Sequence, residues 1–284
     1  MTFALDHAVI NVLFDMERAA AIMTQLGFTL TPRGFHSLGS INHLMMFEGH
    51  YLELVGLPLG TDILRKDVLE SPRGINGLVF QADDIDKCLG RLRERGLAML
   101  DPQSFSRPVT IDGVEHLARF RTARTAPELF DAGRVYYCQH FTPEWVWHRP
   151  WMSHPNGCRG LSELVVVSSA IEADVSNYAK AAQASAQNLA EETLAEETWA
   201  IDLADGFRIT LISPARYREC YGERGVKAEG RRGFFGALIF DGSDVARIRE
   251  LALAIPDVRI GTGESSLTVS VPFLNTLLEF RGDR

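Results

Sequence analysis

The sequence predicts an α+β fold in which one β-α-β-β-β module occurs four times. A short apolar strand, an acidic residue and an amphipathic helix recur in that order, beginning near residues 5, 75, 161 and 234. The runs that follow are alternating or rich in β-branched and aromatic residues, and Gly, Pro or Asn separates them, which indicates further strands. The length of 284 residues suits two domains.

The first module shows the pattern most clearly. A strand at 5–12 leads through Asp15 to a helix that ends at Gly27 and has one apolar face, formed by Ala19, Ile22, Met23 and Leu26. Three further strands are predicted at 28–31, 43–47 and 51–55.

The other three modules repeat this order, the third most loosely. Their first strands are predicted at 77–80, 163–167 and 236–240, and each is followed by an acidic residue and a helix. The apolar faces of these helices are Ile85, Cys88, Leu89 and Leu92; Val175, Tyr178, Ala179 and Ala182; and Val245, Ile248, Leu251 and Ala252.

Pairing of the modules follows from the bare face of each sheet. A sheet with a helix on one face must have its other face covered or used, and two modules joined edge to edge would curl into a half-barrel around a cleft. We therefore predict one pair at residues 1–142 and a second at 159–284. The connector at 143–158 is rich in Trp and Pro, and we interpret its indoles as packing at the domain interface, with a ligand-binding aromatic wall as the alternative.

Composition and charge limit the partners. The net charge is -8 and no basic stripe is present, which argues against a nucleic-acid partner. The N-terminus carries no basic leader and no long apolar segment, so we expect no membrane insertion and a cytoplasmic location. No CxxC spacing occurs, and Cys88 and Cys138 are expected to be packed thiols. The expected partner is a small molecule, and a homodimer is compatible with the sequence.

Histidines and one glutamate point to the first half of the chain. All eight histidines lie in the first 154 residues, so a histidine-ligated metal would lie there too. Glu53 stands inside the apolar run 51–55. Since burying a carboxylate without a partner is costly, Glu53 should face water or a functional cleft.

Several motifs of the first 58 residues resemble those of the vicinal-oxygen-chelate superfamily and, within it, the glyoxalase-like proteins. They are the opening at 5–10, the Leu26-Gly27-Phe28 helix end, the segment 33–43 and the strand at 51–54. The later modules are similar in layout more than in motif. The resemblance implies glyoxalase/dioxygenase-like half-barrel domains and a divalent metal ion (Zn, Ni, Fe or Mn) on the concave sheet. It also implies substrates that chelate the metal through two neighbouring oxygens.

In that superfamily the ligands come from the first and last strands of a module. The resemblance therefore implies His7 and Glu53 as ligands in module one, with Glu53 also catalytic. The first-strand position of module two is Gly77, which cannot ligate. The corresponding positions of modules three and four are Glu163, Thr210, Gly236 and Glu279, without an imidazole, so the C-terminal pair is expected to be structural.

The third ligand is either Gln139 or His140. Aligning Tyr51 with Tyr137 puts Gln139 opposite Glu53, and strand alternation would then point His140 to the other face. Imidazole is the better ligand for first-row divalent metals, which favours His140. We therefore predict a metal set of His7, Glu53 and His140, with Gln139, His36 and His43 as substrate-binding candidates.

Three functions fit these features. The leading hypothesis is a metal-dependent lyase or isomerase that acts on a small oxygenated metabolite through a metal-chelated intermediate. The second is an extradiol-type dioxygenase in the N-terminal pair. The third is a metal-free protein that binds or sequesters a small molecule, since the fold alone does not fix the function.

Overall fold

The computed structural model describes residues 2–189, 198–263 and 265–282, and it confirms the α+β fold and the four modules. The first half contains eight strands and three helices: β1 Leu5–Leu13, α1 Met16–Gln25, β2 Gly34–His36, β3 Ser40–Met46, β4 Tyr51–Gly56, α2 Lys66–Leu69, β5 Gly74–Gln81, α3 Ile85–Glu94, β6 Gln103–Ile111, β7 Val114–Arg124 and β8 Arg134–His140. The described part of the second half repeats this layout: β9 Gly160–Ser168, α4 Ile171–Ala182, β10 Ala186–Asn188, β11 Thr198–Asp202, β12 Arg208–Ile212, α5 Pro214–Tyr221, β13 Gly233–Asp241, α6 Val245–Leu253, β14 Arg259–Thr262, β15 Ser266–Val271 and β16 Thr276–Arg281. None of the helices in these ranges is long and apolar enough to cross a membrane.

Each half forms one eight-stranded, half-barrel-like sheet. The strand order is β2-β3-β4-β1-β5-β8-β7-β6 in the first sheet and β10-β11-β12-β9-β13-β16-β15-β14 in the second. Within a module the first and last strands are parallel neighbours, and the two first strands of each half pair antiparallel at the centre. The side chains of the first and last strands therefore converge at the middle of the concave face.

Two β-bulges interrupt the central pairing of each sheet. In the first sheet the unpaired residues are Asp6, between Leu5 and His7, and Asn76. A bulge lets two consecutive side chains point to the same side of a sheet. Asp6 therefore joins His7 on the concave face. The register of β9 and β13 places Gly236 at a bulge as well, so Ala237, and not Gly236, corresponds to His7 in module four.

One hydrophobic core joins the two halves. It contains the apolar helix faces predicted from the sequence and the helix-bearing faces of both sheets. Contacts between the halves include the rings of Phe28 and Phe240, 5.3 Å apart, and a hydrogen bond of 2.8 Å from the Tyr137 hydroxyl to the Ala181 carbonyl. The two sheets thus share their helix sides and direct their concave sides away from each other.

Each concave face has its own smaller apolar cluster. The connector tryptophans Trp145, Trp147 and Trp151 pack on the cluster of the first sheet. The sequence interpretation placed these indoles at the interface between the halves, but they pack on this concave face instead. In the second sheet Tyr217 and Tyr221 of α5 occupy the corresponding face.

The two outer strands of the first sheet also meet. The Ser37 amide, next to β2, donates to the Ser106 carbonyl of β6 at 3.0 Å, and the Ser106 amide donates to the Ser37 hydroxyl at 3.2 Å. Because these outer strands touch, the half-barrel is nearly closed, and its concave face becomes the wall of an internal cavity.

Candidate active site

The cavity of the first half-barrel is small and polar. Its volume is about 30 Å³, which is room for a few water-sized groups. Side chains from β1, β2, β3, β4, β6, β7 and β8 line it together with Arg65, and those that bear polar groups are His7, His36, Asn42, Tyr51, Glu53, Arg65, Arg107, Thr122, Tyr136 and Cys138. His7, Glu53 and His36, which the sequence singled out, all lie in this cavity.

His7 is held by the carboxylate of its neighbour. Its Nδ1 lies 2.5 Å from Asp6 Oδ1, and its ring stacks on Tyr51 with centroids 4.4 Å apart. Burial alone would raise the pKa of Asp6, but the charges and hydrogen bonds of His140 and then His7 lower it well below its usual range. Since an ionised Asp6 accepts a hydrogen bond from Nδ1–H, the Nε2 lone pair of His7 is directed into the cavity.

Glu53 is positioned by a chain of polar side chains from the neighbouring strands. Asn42 donates from Nδ2 to Glu53 Oε1 at 2.7 Å and to His36 Nε2 at 3.2 Å, while His36 Nδ1 lies 2.8 Å from the Ser40 hydroxyl. Burial and then the charges of Arg65 and Arg107 hold the pKa of His36 well below its usual value. His36 is therefore neutral, with its proton on Nδ1, and it fixes the orientation of Asn42.

The other oxygen of Glu53 faces His7. Glu53 Oε2 lies 3.8 Å from His7 Nε2, and the Tyr136 hydroxyl lies 3.4 Å from the same nitrogen. Burial raises the pKa of Tyr136, so this hydroxyl keeps its proton. Val9 pairs with Glu53 in module one and Val79 pairs with Tyr136 in module two. Tyr136 therefore holds the position in module two that Glu53 holds in module one.

These residues fit a divalent cation with two protein ligands. Usual metal–nitrogen and metal–oxygen distances of about 2.0–2.2 Å allow one ion to reach two ligand atoms that lie 3.8 Å apart. A ligating histidine normally donates its other ring N–H to a carboxylate, as His7 does to Asp6. Asn42 holds the remaining Glu53 oxygen.

The predicted third ligand does not join this pair. Strand alternation puts His140 on the concave side with Tyr136 and Cys138, but His140 Nε2 lies 2.9 Å from Asp6 Oδ2. The alignment of Tyr51 with Tyr137 was wrong by three residues, because the strand register places Arg134 at the position of Tyr51 and Tyr136 at the position of Glu53. His140 therefore pairs with Asp6 and does not form one ligand cluster with His7 and Glu53.

Two predicted substrate-binding residues lie elsewhere. The amide of Gln139 accepts from the Ile85 backbone N–H and donates to the Asp83 carbonyl, so it fixes the start of α3. His43 Nδ1 contacts the Thr31 carbonyl at 2.7 Å, and His43 pairs with Leu54, whose side chain lies in the shared core. Alternation along the strands directs both side chains away from the cavity.

A second cluster could also hold a metal. Within residues 2–189, 198–263 and 265–282, the one group of three or more His, Cys, Asp or Glu ligand atoms mutually within 4.8 Å consists of Asp6, Cys138 and His140. Burial, followed by the charges of Asp6 and Glu53, raises the pKa of the Cys138 thiol well above its usual value. A metal at this cluster would have to displace the hydrogen bond between Asp6 and His140, which makes it the weaker candidate.

Arg107 is the most unusual group of the cavity. It is 3% exposed, and none of the described side chains places a carboxylate oxygen within 4.0 Å of its guanidinium or a hydrogen-bond partner on its Nε. Burial lowers its pKa, while Tyr51 and Glu53 act in the opposite direction. A Cβ at Gly34 would collide with the Arg107 side chain and with the Asn42 amide oxygen. Gly34 thus makes room for both.

The equivalent positions of the second sheet are filled by internal pairs. Glu163 accepts from the Thr210 hydroxyl at 2.6 Å and from Arg281 at 3.1 Å, and Glu279 accepts from Tyr221 at 2.9 Å and from Arg281 at 3.0 Å. These contacts leave neither carboxylate free for a ligand.

We expect Glu279→Gln to affect stability and not metal binding. The amide keeps the volume but weakens two hydrogen bonds to a buried charge, at a cost of about 1–3 kcal/mol of unfolding free energy. Urea denaturation and metal analysis of the variant measure the two effects. Loss of bound metal with an intact fold would place the site in the second half.

Comparison with known proteins agrees with the fold and the sequence motifs. A family model described as "Glyoxalase-like domain" matches residues 5–182, and the chain belongs to this family. The resemblance to the vicinal-oxygen-chelate superfamily is thereby confirmed. No curated protein sequence matches the chain.

Solved structures share the whole architecture at low identity. A hypothetical protein from Staphylococcus aureus has a TM-score of 0.67 and 11% identity, with 99% of both chains covered. A mutant of 4-hydroxymandelate synthase from Streptomyces coelicolor has a TM-score of 0.55 and 15% identity, and the match covers 100% of this chain and 94% of the other. A xylose isomerase-like TIM barrel/4-hydroxyphenylpyruvate dioxygenase fusion protein has a TM-score of 0.58 and 14% identity. The match covers 99% of this chain and 50% of the fusion protein. At these identities the likeness establishes the fold alone.

Proposed function

We propose that this chain is a metal-dependent glyoxalase-like enzyme of the lyase or isomerase type. Its site is the cavity of the first half-barrel, and its substrate is a small oxygenated metabolite. The observation that carries the proposal is the arrangement of His7 Nε2 opposite Glu53 Oε2, 3.8 Å apart, with Asp6 behind the imidazole. Zn, Ni, Fe or Mn would be held by His7 and Glu53, and such an ion polarises a carbonyl and stabilises negative charge on its oxygen.

The side chains around this pair suit a proton transfer. Glu53 is the base that takes a proton from a carbon beside the carbonyl and returns it to the product. Asn42 keeps Glu53 Oε1 fixed, so Oε2 is the oxygen available to a metal ion or to a substrate proton. The Tyr136 hydroxyl, protonated because of its raised pKa, donates a hydrogen bond to an oxygen that gains charge.

The two alternatives have less support. Ring cleavage of the extradiol type uses two histidines and one carboxylate as a facial triad, and His140 is engaged with Asp6. Sequestering an aromatic ligand calls for a cavity of about 300 Å³ or more, whereas this cavity measures about 30 Å³. Proton transfer on a small substrate is therefore the function that the geometry supports best.

Elemental analysis tests the proposal most directly. Protein purified without a histidine tag and loaded with Zn, Ni, Fe or Mn should retain about one divalent ion per chain after gel filtration. Retention of none of these metals by the folded protein would overturn the proposal and would favour the metal-free binding function.

A further inference from the structure

We propose that Arg107 makes the cavity of the first half-barrel an anion-binding pocket, so that its substrate is a small carboxylate. This deepens the proposed function, because it names the chemical class that the same site accepts. Anion binding by Arg107 needs no metal, however, and can be tested by itself.

The lack of a protein partner is the first argument. A buried charge that is neither paired nor hydrogen-bonded is strongly unfavourable, so proteins rarely retain one without use. Arg107 is 3% exposed, and no ion pair joins its guanidinium to any carboxylate of the described residues. The Coulombic contribution of Glu53 to its pKa is weaker than the effect of burial. A carboxylate ligand would supply the missing pair.

The cavity is also built around this side chain. Arg107 lies on β6, facing the same space as His7 and Glu53. Gly34 on β2 leaves the room that the Arg107 stem occupies. Two buried polar atoms beside Gly34, Arg107 Nε and Asn42 Oδ1, have no hydrogen-bond partner among the described residues. Arg107 Nε can donate to a carboxylate oxygen, and Asn42 Oδ1 can accept from a ligand hydroxyl, so the two atoms fit a small ligand that carries both groups.

Among the charged groups that face the cavity, Arg107 is available to pair with an anionic ligand. Arg65 is held in an ion pair with Asp67, 2.9 Å away, whereas Arg107 has no such partner among the described residues, and His36 is uncharged. Glu53 is committed to Asn42 and faces His7. Arg107 is thus the cation of the cavity that an anionic ligand can pair with, and its planar guanidinium suits a carboxylate in a bidentate arrangement.

Cavity volume limits the ligand. About 30 Å³ accommodates two or three water-sized groups, so the ligand must be among the smallest carboxylates. Glycolate, with a carboxylate and one hydroxyl on two carbons, is a probe of this class. Ethylene glycol is a neutral molecule of similar size without the carboxylate.

Calorimetric titration of metal-free protein with glycolate tests the inference. Metal is first removed with a chelator, and the chelator is removed by dialysis. We expect wild-type protein to bind glycolate and not ethylene glycol, and Arg107→Gln to weaken glycolate binding by about tenfold or more. Arg107→Lys retains the charge, and its affinity for glycolate should lie between those of the wild type and Arg107→Gln. Arg119→Gln, which alters an exposed arginine of the adjacent strand β7, is the matched control and should bind as wild type.

A stability measurement gives an independent readout. Without carboxylate present, Arg107→Gln should unfold at the same urea concentration as wild type or a higher one, because it removes an unpaired buried charge. Addition of glycolate should stabilise the wild type and not the variant. Glycolate affinity equal in wild type and Arg107→Gln, or no binding by wild type at concentrations on the order of 10 mM, would overturn the inference. Metal retention in the elemental analysis is a separate result, so a failure of the proposed function is distinguishable from a failure here.

Discussion

His7→Ala and Glu53→Ala should each lower the affinity for a divalent metal by at least tenfold, which is about 1.4 kcal/mol of binding free energy. The expected loss is large because the site offers two protein ligands, so each substitution removes half of them. His7→Ala also leaves Asp6 without the imidazole that shares its carboxylate with His140. Competition with a chromophoric chelator at fixed pH measures the affinity of each variant.

Cys138→Ala is the control that separates the two candidate metal clusters. It removes the thiol of the group formed with Asp6 and His140 but leaves His7 and Glu53 in place. We expect its metal affinity to equal that of the wild type. Loss of metal in Cys138→Ala with retention in Glu53→Ala would locate the ion at the Asp6 cluster. Full metal occupancy in a His7→Ala, Glu53→Ala double variant would contradict the site altogether.

Much of the fold follows from local patterns. Helices α1, α3, α4 and α6 lie where the sequence predicts them, because their apolar residues recur at helical spacing and pack on one shared core. The packing on the concave faces could not be predicted in the same way. Trp147 packs on His140 and Tyr51 at one of these faces, and nothing in its local sequence says which side of the sheet the connector crosses.

The site was only partly predictable, for reasons of register. His7 and Glu53 were identified through the resemblance to the superfamily, in which the ligands come from the first and last strands of a module. Asp6 was missed because alternation directs consecutive side chains to opposite faces, and the bulge that overrides alternation depends on pairing with β5. Tyr136 was missed because the sequence alignment of β8 with β4 was shifted by three residues and placed Gln139 opposite Glu53.

Arg107 shows a different limit. Its strand reads as an ordinary exposed β-strand with alternating polar residues, and its neighbours in sequence carry no signal of a site. Its burial arises because β6 meets β2 across the opening of the half-barrel, a contact between strands about seventy residues apart. An unpaired buried cation becomes visible only when that closure is known.

One ion cluster connects the cavity to the rest of the first half. Asp67 of α2 contacts three guanidiniums, with Arg65 Nε at 2.9 Å, Arg124 Nη1 at 2.7 Å and Arg134 Nη1 at 3.1 Å. Arg134 also donates to Asn76, the residue at the second bulge of the sheet. One carboxylate thus ties the segment after β4 to β7 and β8, and keeps Arg65 at the wall of the cavity.

Asp67→Asn should therefore destabilise the protein by about 3 kcal/mol at neutral pH, since it leaves three partly buried cations without their shared anion. Burial alone would raise the pKa of Asp67, but Arg65, then Arg134 and Arg124, lower it to about 2. Because the folded pKa lies below the unfolded value of about 3.9, this stabilisation is complete above that value and is lost as the pH falls toward 2. The difference in unfolding free energy between wild type and variant should shrink by about 2 kcal/mol over that interval.

Urea denaturation from neutral to acidic pH measures this difference. Asp257→Asn is the control, because the Arg18–Asp257 pair is half exposed and should contribute little to stability. Equal stability of Asp67→Asn and Asp257→Asn at neutral pH would mean that solvent, and not Asp67, compensates the three arginines.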